Sequence, residues 1–334
     1  MKYSLFGESH GPAIGIVIED IPSGIYLDQD FIQSQMDRRA PGRTPLSTER
    51  KESDKPKILS GIYNNKTTGT PLCAVFSNDD KHSEDYEDLK YIPRPSHADY
   101  TGWIRYRGYN DFRGGGHFSG RLTAPLVFAG SIARLQLMKK KIFVNSYISS
   151  IHGIRNPKEQ EIENQIAEAE RAGDSIGGCI ACKITGFPSA IGAPDIGKNI
   201  EGEIARAMFA IPAVKGIQFG AGFEFANMLG SEANDGFKVN EENVNVIETI
   251  TNNSGGINGG ISNGMPITFE LVFRPTPSIS IPQKSVNLKT MQNCEIKIKG
   301  RHDPCVAYRA VPVVDAMAGI VILTFLQEAM GYDT

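Results

Sequence analysis

Residues 91–121 constrain the fold of this chain more than any other stretch, because they are poor material for a hydrophobic core. The stretch reads YIPRPSHADYTGWIRYRGYNDFRGGGHFSGR and holds five arginines, two of the six histidines and the only tryptophan. Arginine is rarely buried unpaired, and the glycines 114–116 cost backbone entropy unless a positive φ or a close ligand requires them. Beside His117, Ser119 and Arg121, they indicate a site that converges on an anion or a ring. A flexible surface turn is the alternative interpretation.

The distribution of charge favours a small anionic ligand over a polymer. Basic and acidic residues number 35 and 38, which leaves a net charge of −3 and no global field to attract nucleic acid or a membrane. Positive charge is concentrated locally instead, at Arg38, Arg39, Arg43, Arg50 and Lys51. This patch fits a compact polyanion, although a solvated helix end with its flanking loop would show the same pattern.

Cysteine usage and the N-terminal segment indicate a cytoplasmic protein. The five cysteines are odd in number and scattered, which argues against a disulfide framework. Cys179 and Cys182 form a C-x-x-C in an apolar run typical of a buried strand, with no second pair to complete a zinc site. We therefore expect reduced structural thiols and no metal. The start, MKYSLFGESHG, does not resemble a signal peptide, and we expect no membrane span of about 18 apolar residues.

The periodicity of apolar residues predicts helices and strands in irregular alternation. Asp28 is the expected N-cap of a helix that stops before Pro41 and delivers Arg38 and Arg39 at its C-terminal end. A helix buried nearly all round follows the glycine stretch, and a long apolar helix closes the chain. Several strands lie in hairpin contexts, which favours an α+β layered fold over a doubly wound parallel sheet. The polar segment 77–90 is expected to be an exposed loop.

Two distant segments share one layout. Each has a strand, a Pro-Ser turn, an amphipathic helix and a stopping proline, with the turns at Pro22 and Pro188 and the stops at Pro41 and Pro212. This layout predicts a duplicated strand–helix–strand unit. We expect both copies to belong to a single domain that spans residues 1–334.

Three histidines on predicted turns are candidate proton carriers, namely His10 in ESHG, His97 in RPSHAD and His117 in GGGHFSG. Histidine titrates near neutrality, which suits general acid–base work. A lone histidine is more often structural, but neighbouring Arg, Gly and Ser favour function here. Asp303 in GRHDPC lies between two potential cations, so it could act as a base or simply be salt-bridged.

Seven motifs occur in one order from residue 7 to beyond residue 312, and together they resemble the chorismate synthase family: GESHG, RPSHADYT, RGGGHFSGR, IPAVKG, NGGISNG, RPTPSISIP and GRHDPCVAYRAVPV. The resemblance covers essentially the whole chain. It implies a lyase of the shikimate pathway to aromatic amino acids. That enzyme makes chorismate from 5-enolpyruvylshikimate 3-phosphate by 1,4-anti elimination of phosphate, and it requires reduced FMN although the reaction is redox-neutral. The implied fold is a β-α-β sandwich, two antiparallel sheets around inner helices, assembled as a homotetramer.

The resemblance also implies roles for individual residues. His10 matches the acid that protonates the leaving phosphate, His97 the histidine that protonates the flavin, and Asp303 the aspartate that assists hydrogen removal at the flavin N5. Substrate-contacting positions are matched by Ser9, Arg39, Arg94 and Arg121. Flavin-contacting positions are matched by His117, Phe118, Ser119, Pro212, Ala213, Gly259, Arg274, Pro275, Thr276, Pro277, Ser278 and Arg301.

The sequence departs from the family pattern at a few positions. Pro45 stands where many members carry an arginine, so Arg43 or Arg50 would have to complete the substrate clamp. Arg274 replaces a usual lysine and His117 a common arginine; both remain hydrogen-bond donors, so we expect altered geometry and not loss of flavin. The chain is short for the family, so we expect reduced flavin to come from a separate reductase, ultimately from NADPH.

Two other functions were weighed against these residues. A flavin-dependent oxidoreductase would share the glycine-rich flavin contacts, but it would not need His10 together with the arginine patch. An RNA-binding module could use arginines with Trp103, Tyr106 and Tyr109, but such proteins usually have a basic overall balance and repeated stacking motifs.

Overall fold

The computed structural model describes residues 1–42, 53–79, 90–241, 243–298 and 303–330, and it combines helices with antiparallel strands. The helices are α1 (Gln29–Arg39), α2 (Asp99–Arg105), α3 (Thr123–Lys139), α4 (Glu159–Arg171), α5 (Ile200–Phe209), α6 (Gly230–Ala233) and α7 (Val306–Met330). The strands are β1 (Lys2–Gly7), β2 (Ala13–Glu19), β3 (Lys57–Ser60), β4 (Ile62–Tyr63), β5 (Lys66–Thr67), β6 (Leu72–Ser77), β7 (Phe143–Ile151), β8 (Ile154–Arg155), β9 (Gly178–Thr185), β10 (Val214–Phe219), β11 (Phe237–Val239), β12 (Ile247–Thr249), β13 (Ile257–Asn258), β14 (Ile261–Ser262), β15 (Ile267–Phe273), β16 (Gln283–Asn287) and β17 (Gln292–Ile296).

Most of the core strands belong to two antiparallel sheets. One sheet has the order β1-β2-β6-β3 and the other the order β10-β15-β9-β7-β8. Side chains alternate between a buried and a less buried face, as in Ile180, Cys182 and Ile184 of β9, which are all buried. Burying each such isoleucine contributes about 1.5–3 kcal/mol. Each sheet therefore directs one apolar face towards the helices.

Helices α3 and α7 pack against each other and against different sheets. α3 contacts β2 and β6 of the first sheet and also β7 of the second, whereas α7 contacts β7 and β9. Gly130 of α3 permits the close approach, since a Cβ placed there would lie 2.3 Å from the Cα of Ala316 on α7. Because α3 is covered on all sides, its apolar residues show no single helical face.

Helix α7 is the long apolar helix that the sequence predicts at the end of the chain. Between Val306 and Ala329 it meets the length and hydropathy criteria for a membrane span. However, 83% of that apolar window is buried inside the protein. A core helix satisfies the same criteria, and the packing of α7 between β7, β9 and α3 is of that kind.

Helix α1 follows the sequence expectation. The N–H of Phe31 donates to Asp28 Oδ1 at 3.0 Å, which makes Asp28 the N-cap. The buried face consists of Ile32, Gln35, Met36 and Arg39. At its end, Arg38 pairs with Asp315 of α7 at 2.9 Å, while Arg39 enters the interior.

Both Pro-Ser turns are held by a hydroxyl from a small hairpin. Thr67 of hairpin β4–β5 donates from Oγ1 to the Pro22 carbonyl at 2.6 Å. Ser262 of hairpin β13–β14 donates from Oγ to the Pro188 carbonyl at 2.7 Å. The same local arrangement thus precedes both α1 and α5.

The two cysteines of the C-x-x-C lie on β9, as expected, and both thiols are free. Burial raises the pKa of the Cys182 thiol, so it stays protonated and unreactive at neutral pH.

Candidate active site

The turn that carries Ser9 and His10 lies against the triple-glycine segment. The N–H of Ser9 donates to the Gly116 carbonyl at 3.2 Å, and Ser9 Oγ donates to the Gly114 carbonyl at 3.0 Å. Ser9 Oγ also lies 3.1 Å from His10 Nδ1. Because the single hydroxyl proton of Ser9 is engaged by a carbonyl, Ser9 Oγ accepts from His10 Nδ1, and Nε2 is the His10 nitrogen left to exchange a proton with a ligand.

Glycine is required where the two histidines approach this segment. Gly114 and Gly115 have φ values of +58° and +84°. A Cβ on Gly114 would lie 2.1 Å from His10 Nδ1, and one on Gly115 would lie 3.2 Å from His97 Nε2. Gly115 and Gly116 are buried, so the interpretation as an exposed flexible turn is wrong. Two histidines that are 87 positions apart meet adjacent glycines.

His97 is oriented by a buried ion pair. Arg94 grips Asp99 with two bonds, of 2.7 Å from Nε and 2.8 Å from Nη2, and His97 Nδ1 lies 2.6 Å from Asp99 Oδ1. The carboxylate acceptor places a proton on Nδ1 and leaves Nε2 to exchange protons next to Gly115.

The protonation of this pair follows from its surroundings. Burial would raise the pKa of Asp99, but the hydrogen bonds from Arg94 and His97 outweigh it and lower that pKa. Burial lowers the pKa of His97, helped by the charges of Arg94 and Arg274, and the contact with Asp99 opposes this only in part. His97 is therefore neutral at pH 7 in the ligand-free protein.

The segment after β15 is tied to the His97 turn by two arginines. Arg94 Nη1 donates to Ser278 Oγ at 3.2 Å, and Arg274 Nη1 donates to the Ser96 carbonyl. Arg274 also donates its backbone N–H to the Ala213 carbonyl at 3.0 Å. Ser96 and Ala213 both have positive φ values, +60° and +73°, which signals locally constrained backbone. Two of the segments expected to contact flavin, 212–213 and 274–278, are therefore linked to the His97 turn.

The other residues expected to contact flavin are placed differently. His117 Nδ1 lies 3.0 Å from the Gly7 carbonyl, so it adjoins the His10 turn. Phe118 packs against Gly102 of α2, and Ser119 Oγ accepts the N–H of Arg121 at 3.3 Å.

Gly259 lies apart from the others. The next residue, Gly260, accepts the N–H of Ile200 at the start of α5, at 3.2 Å. Pro212 follows the end of that helix, and the ten residues of α5 separate the two ends by about 15 Å. Arg301 lies outside the described residues.

Arg39 and Arg121 are brought together by one buried carboxylate. Arg39 Nε lies 3.2 Å from Asp54 Oδ2, and Arg121 Nη1 pairs with Asp54 Oδ1. All three residues are at most 5% exposed. Arg39 and Arg121 thus present two guanidinium groups beside one another, and such groups bind anionic ligands through charge-assisted hydrogen bonds. Arg43, Pro45 and Arg50 lie outside the described residues.

Asn78 is a residue of this site that the sequence analysis missed, because it was assigned to an exposed loop. It is only 4% exposed. Its Nδ2 donates to the carbonyls of Glu8 and Gly11 at 3.0 and 3.1 Å, and its Oδ1 accepts from Arg121 Nε at 3.1 Å. The first two partners are 70 and 67 positions away in the chain, so no local pattern could reveal the contact.

Asp303 is paired with a residue that the motif did not indicate. Arg309 Nη1 donates to Asp303 Oδ2 at 2.8 Å, and Arg309 Nε donates to the Arg39 carbonyl at 3.1 Å. The flanking Arg301 and His302 lie outside the described residues. The second oxygen of Asp303, Oδ1, is buried and has no hydrogen-bond partner within the described part of the chain.

These contacts link the surroundings of His10, His97 and Asp303 into one network. His10 and His97 lie against the adjacent glycines 114 and 115. Arg39, which pairs with Asp54, accepts a hydrogen bond at its backbone carbonyl from Arg309, and Arg309 in turn pairs with Asp303. Chemically, the site offers two imidazoles with defined exchangeable nitrogens, a carboxylate oxygen and several buried cations. That combination suits acid–base chemistry on a polyanionic ligand.

Comparisons with known proteins agree on one family. A sequence model of that family, "Chorismate synthase", matches residues 1–326. The chorismate synthase of Thermococcus gammatolerans is 43% identical and the match covers 100% of this chain and 98% of the relative. The chorismate synthase of Pyrococcus abyssi is 44% identical, and the match covers 98% of this chain and 96% of the relative. That of Parabacteroides distasonis is 43% identical, and the match covers 97% of this chain and 95% of the relative. A crystal structure of a chorismate synthase superposes with a TM-score of 0.76 at 26% identity, covering 99% of this chain and 92% of that one.

Proposed function

This chain belongs to the chorismate synthase family, and from that membership we propose that it converts 5-enolpyruvylshikimate 3-phosphate to chorismate by 1,4-anti elimination of phosphate, with reduced FMN as catalytic cofactor. The observation that carries the proposal is the meeting of His10 and His97 at adjacent glycines. Two imidazoles in one site provide the two proton donors that the reaction needs.

Substrate binding is the role proposed for Ser9, Arg39, Arg94 and Arg121, together with Arg43 or Arg50. The substrate carries a phosphate and two carboxylates, and guanidinium groups bind such oxyanions with paired charge-assisted hydrogen bonds. The meeting of Arg39 and Arg121 at Asp54 supports this assignment, because it places two guanidinium groups side by side. Arg94 and Arg121 also brace the site, since each already contacts several protein groups.

His10 is proposed to protonate the leaving phosphate. Its Nδ1 donates to Ser9, so His10 would act as the imidazolium cation, release the proton on Nε2 and become neutral. His10 is 5% exposed, and a buried acid transfers its proton to the ligand without competition from bulk water. The hydrogen bond from Ser9 to the Gly114 carbonyl holds this arrangement in place.

His97 and Asp303 are proposed to act on the flavin side of the site. His97 is neutral with its proton on Nδ1, and an anionic ligand bound beside it would favour the charged imidazolium, whose second proton lies on Nε2 and can be transferred. The contact with Arg309 orients Asp303, which leaves Oδ1 as the oxygen available to receive a proton. In this assignment Asp303 assists removal of the substrate hydrogen.

The residues present fit a flavin. Thr276 Oγ1 is buried and has no hydrogen-bond partner in the described ranges, so a ligand that pairs with it would offset an unfavourable burial. Reduced FMN supplies, when bound, an electron-rich ring that favours loss of phosphate from a substrate whose C–H bond is not acidic. The residues proposed to hold it are His117, Phe118, Ser119, Pro212, Ala213, Gly259, Arg274, Pro275, Thr276, Pro277, Ser278 and Arg301. A separate NADPH-dependent reductase would supply the reduced form.

The finer architecture is proposed to be the β-α-β sandwich of a single domain, with an internal pseudo-repeat. One continuous apolar cluster includes side chains of both main sheets and of α3 and α7 between them, which supports the layered single domain. The matching hydroxyl contacts of Thr67 and Ser262 at the two Pro-Ser turns support the duplication.

A homotetramer in the cytoplasm is the proposed form of the protein. Large apolar side chains are exposed along residues 222–250, which include the hairpin β11–β12. They are Phe223, Leu229, Phe237, Ile247 and Ile250. An exposed apolar surface of this extent is typical of contacts between subunits.

The stoichiometry of NADPH tests the proposal against the oxidoreductase alternative. The protein is supplied with substrate, FMN, NADPH and a flavin reductase without air, and chorismate, phosphate and NADPH are measured together. We expect many molecules of chorismate per NADPH consumed, because the flavin is regenerated in each turnover. One NADPH consumed for each product molecule would support the oxidoreductase and contradict the proposal.

A further inference from the structure

Asn78, the first residue after β6, joins the His10 turn to the arginine pair. Its Nδ2 donates to the carbonyls of Glu8 and Gly11, at 3.0 and 3.1 Å, which are the two ends of the turn that presents His10. Its Oδ1 accepts from Arg121 Nε at 3.1 Å. One side chain thereby fixes the ends of the turn and the guanidinium at the same time.

Only an amide of this length satisfies all three partners. The two carbonyls require a donor and Arg121 requires an acceptor, and this pattern also settles which end of the Asn78 amide is nitrogen. Aspartate is isosteric but has no donor for the carbonyls. Serine and alanine are too short to span the three contacts.

The backbone around Asn78 is itself well anchored. Its N–H donates to the Pro12 carbonyl at 3.3 Å, next to the ladder between β2 and β6. The amide therefore has a fixed base in the sheet, and it bridges the same two residues, Glu8 and Gly11, whose backbone bond of 3.0 Å closes the turn. The three side-chain hydrogen bonds of Asn78, which we call the clamp, therefore hold the His10 turn in a fixed position relative to the sheet.

We propose that Asn78 is a positioning residue for His10, which holds the acid at the place where the anion bound by the neighbouring arginines loses its phosphate. The proposal rests on the proposed function, since it adds a residue to that reaction. Asn78 acts through the turn and touches neither the substrate nor the flavin in this scheme.

Asn78→Asp removes the donor contacts to Glu8 and Gly11 but keeps the acceptor contact to Arg121. The carboxylate keeps an acceptor for Arg121 but repels the carbonyls of Glu8 and Gly11, so the turn loosens. We expect kcat to fall by about 10- to 100-fold, because a displacement near 1 Å of a catalytic group costs that much. The affinity for FMN should stay within about twofold of the wild type, since the proposed flavin contacts lie on other segments.

A matched control exists in Asn253, whose Nδ2 also donates to two backbone carbonyls, those of Glu232 and Ala233, both at 3.2 Å. It lies next to α6, away from the histidines. Asn253→Asp removes the same kind of clamp and should leave kcat unchanged. If Asn78→Asp does not fold, Asn78→Ser provides the same comparison without the added charge.

A double-mutant cycle with His10→Ala distinguishes positioning from general structural damage. In the His10→Ala background, Asn78→Asp should change the residual turnover by less than about threefold, because the residue it positions is gone. The same 10- to 100-fold loss in both backgrounds would overturn the proposal, and so would wild-type kcat in the single variant.

Crystal structures of the wild type and Asn78→Asp provide a readout independent of activity. We expect the His10 ring to move away from Gly114 in the variant while His97 keeps its place. An unmoved His10 overturns the proposal even if turnover is lost. If the wild-type protein forms no chorismate, the proposed function fails, and the structural comparison still decides whether Asn78 positions His10.

Discussion

Arg309 donates from Nη1 to Oδ2 of Asp303 at 2.8 Å, and the other oxygen of that carboxylate has no hydrogen-bond partner among the residues that the structure describes. A buried polar atom without a partner costs about 1–3 kcal/mol, so such an atom calls for an explanation. We propose a functional explanation, because an oriented carboxylate with one oxygen left open can accept a proton from a ligand.

Asp303→Asn should therefore slow hydrogen removal far more than it weakens substrate binding. The amide keeps the shape of the side chain but loses the proton-accepting oxygen, and the expected loss in the single-turnover rate is about 10²- to 10⁴-fold. Rapid-mixing kinetics and a separate substrate-binding titration check it. Asp174→Asn, on an exposed turn, is the control, and single-turnover kinetics that match the wild type would contradict the role of Asp303.

The lowered pKa of His97 should make the protein less stable as the pH falls from 7.5 to 5.5. An unfolded histidine gains its proton near pH 6.5, whereas the folded one gains it only at lower pH, so the unfolded state binds more protons in this window. The lowered pKa of Asp99 acts only below its ordinary value of 3.8 and does not contribute here.

Thermal midpoints at the two pH values test this expectation in the wild type and in His97→Gln. Glutamine does not titrate, so the variant should lose less of its thermal midpoint between pH 7.5 and 5.5 than the wild type does. Equal losses in both proteins would mean that His97 titrates normally in the folded state.

Gly114→Ala should abolish most of the activity because its Cβ would overlap the His10 ring. The added atom would lie 2.1 Å from Nδ1, so the ring or the glycine segment must move, and a loss of about 100-fold in kcat is expected. Gly153→Ala is the matched control. Gly153 also has a positive φ, +87°, but has open space around the added Cβ. Gly153→Ala should lower the free energy of unfolding by only about 1–2 kcal/mol, through backbone strain, and should leave the activity unchanged. Equal activity losses would exclude the contact as the cause.

Arg39→Ala should weaken substrate binding several-fold and destabilise the protein. It removes one guanidinium from a buried carboxylate, Asp54, and breaking a buried pair costs about 3–5 kcal/mol. Titration of the substrate and of its dephosphorylated analogue against both proteins measures the effect, with the exposed Arg206→Ala as control. The wild type should strongly prefer the phosphorylated ligand. Equal affinity for the two ligands would show that the arginine pair does not bind phosphate.

Local patterns in the sequence were sufficient for much of the fold. The N-cap Asp28 and the face that ends in Arg39 are set by residues within one helix, so periodicity predicts them. The order of the motifs predicted the family, which the comparisons confirm. The apolar run at the end of the chain predicted helix α7, although its composition alone does not distinguish a core helix from a membrane span.

The contacts that assemble the site could not be read from the sequence. Arg309 pairs with Asp303 from the helix that follows it, whereas the motif suggested its immediate neighbours. Asn78 meets Glu8 and Gly11 only because β6 lies beside β2 in the sheet. Such pairs depend on the register of strands that are distant in the chain, and a single polar residue carries no signal of that register.

The most direct test of the central claim is an anaerobic reaction with photoreduced FMN and 5-enolpyruvylshikimate 3-phosphate in the absence of NADPH. Phosphate and chorismate are followed together, the latter by its absorbance. The account predicts that both appear in equal amounts, over many turnovers, while the flavin ends in its reduced form. Phosphate released without chorismate, or product limited to one equivalent of flavin, would contradict it.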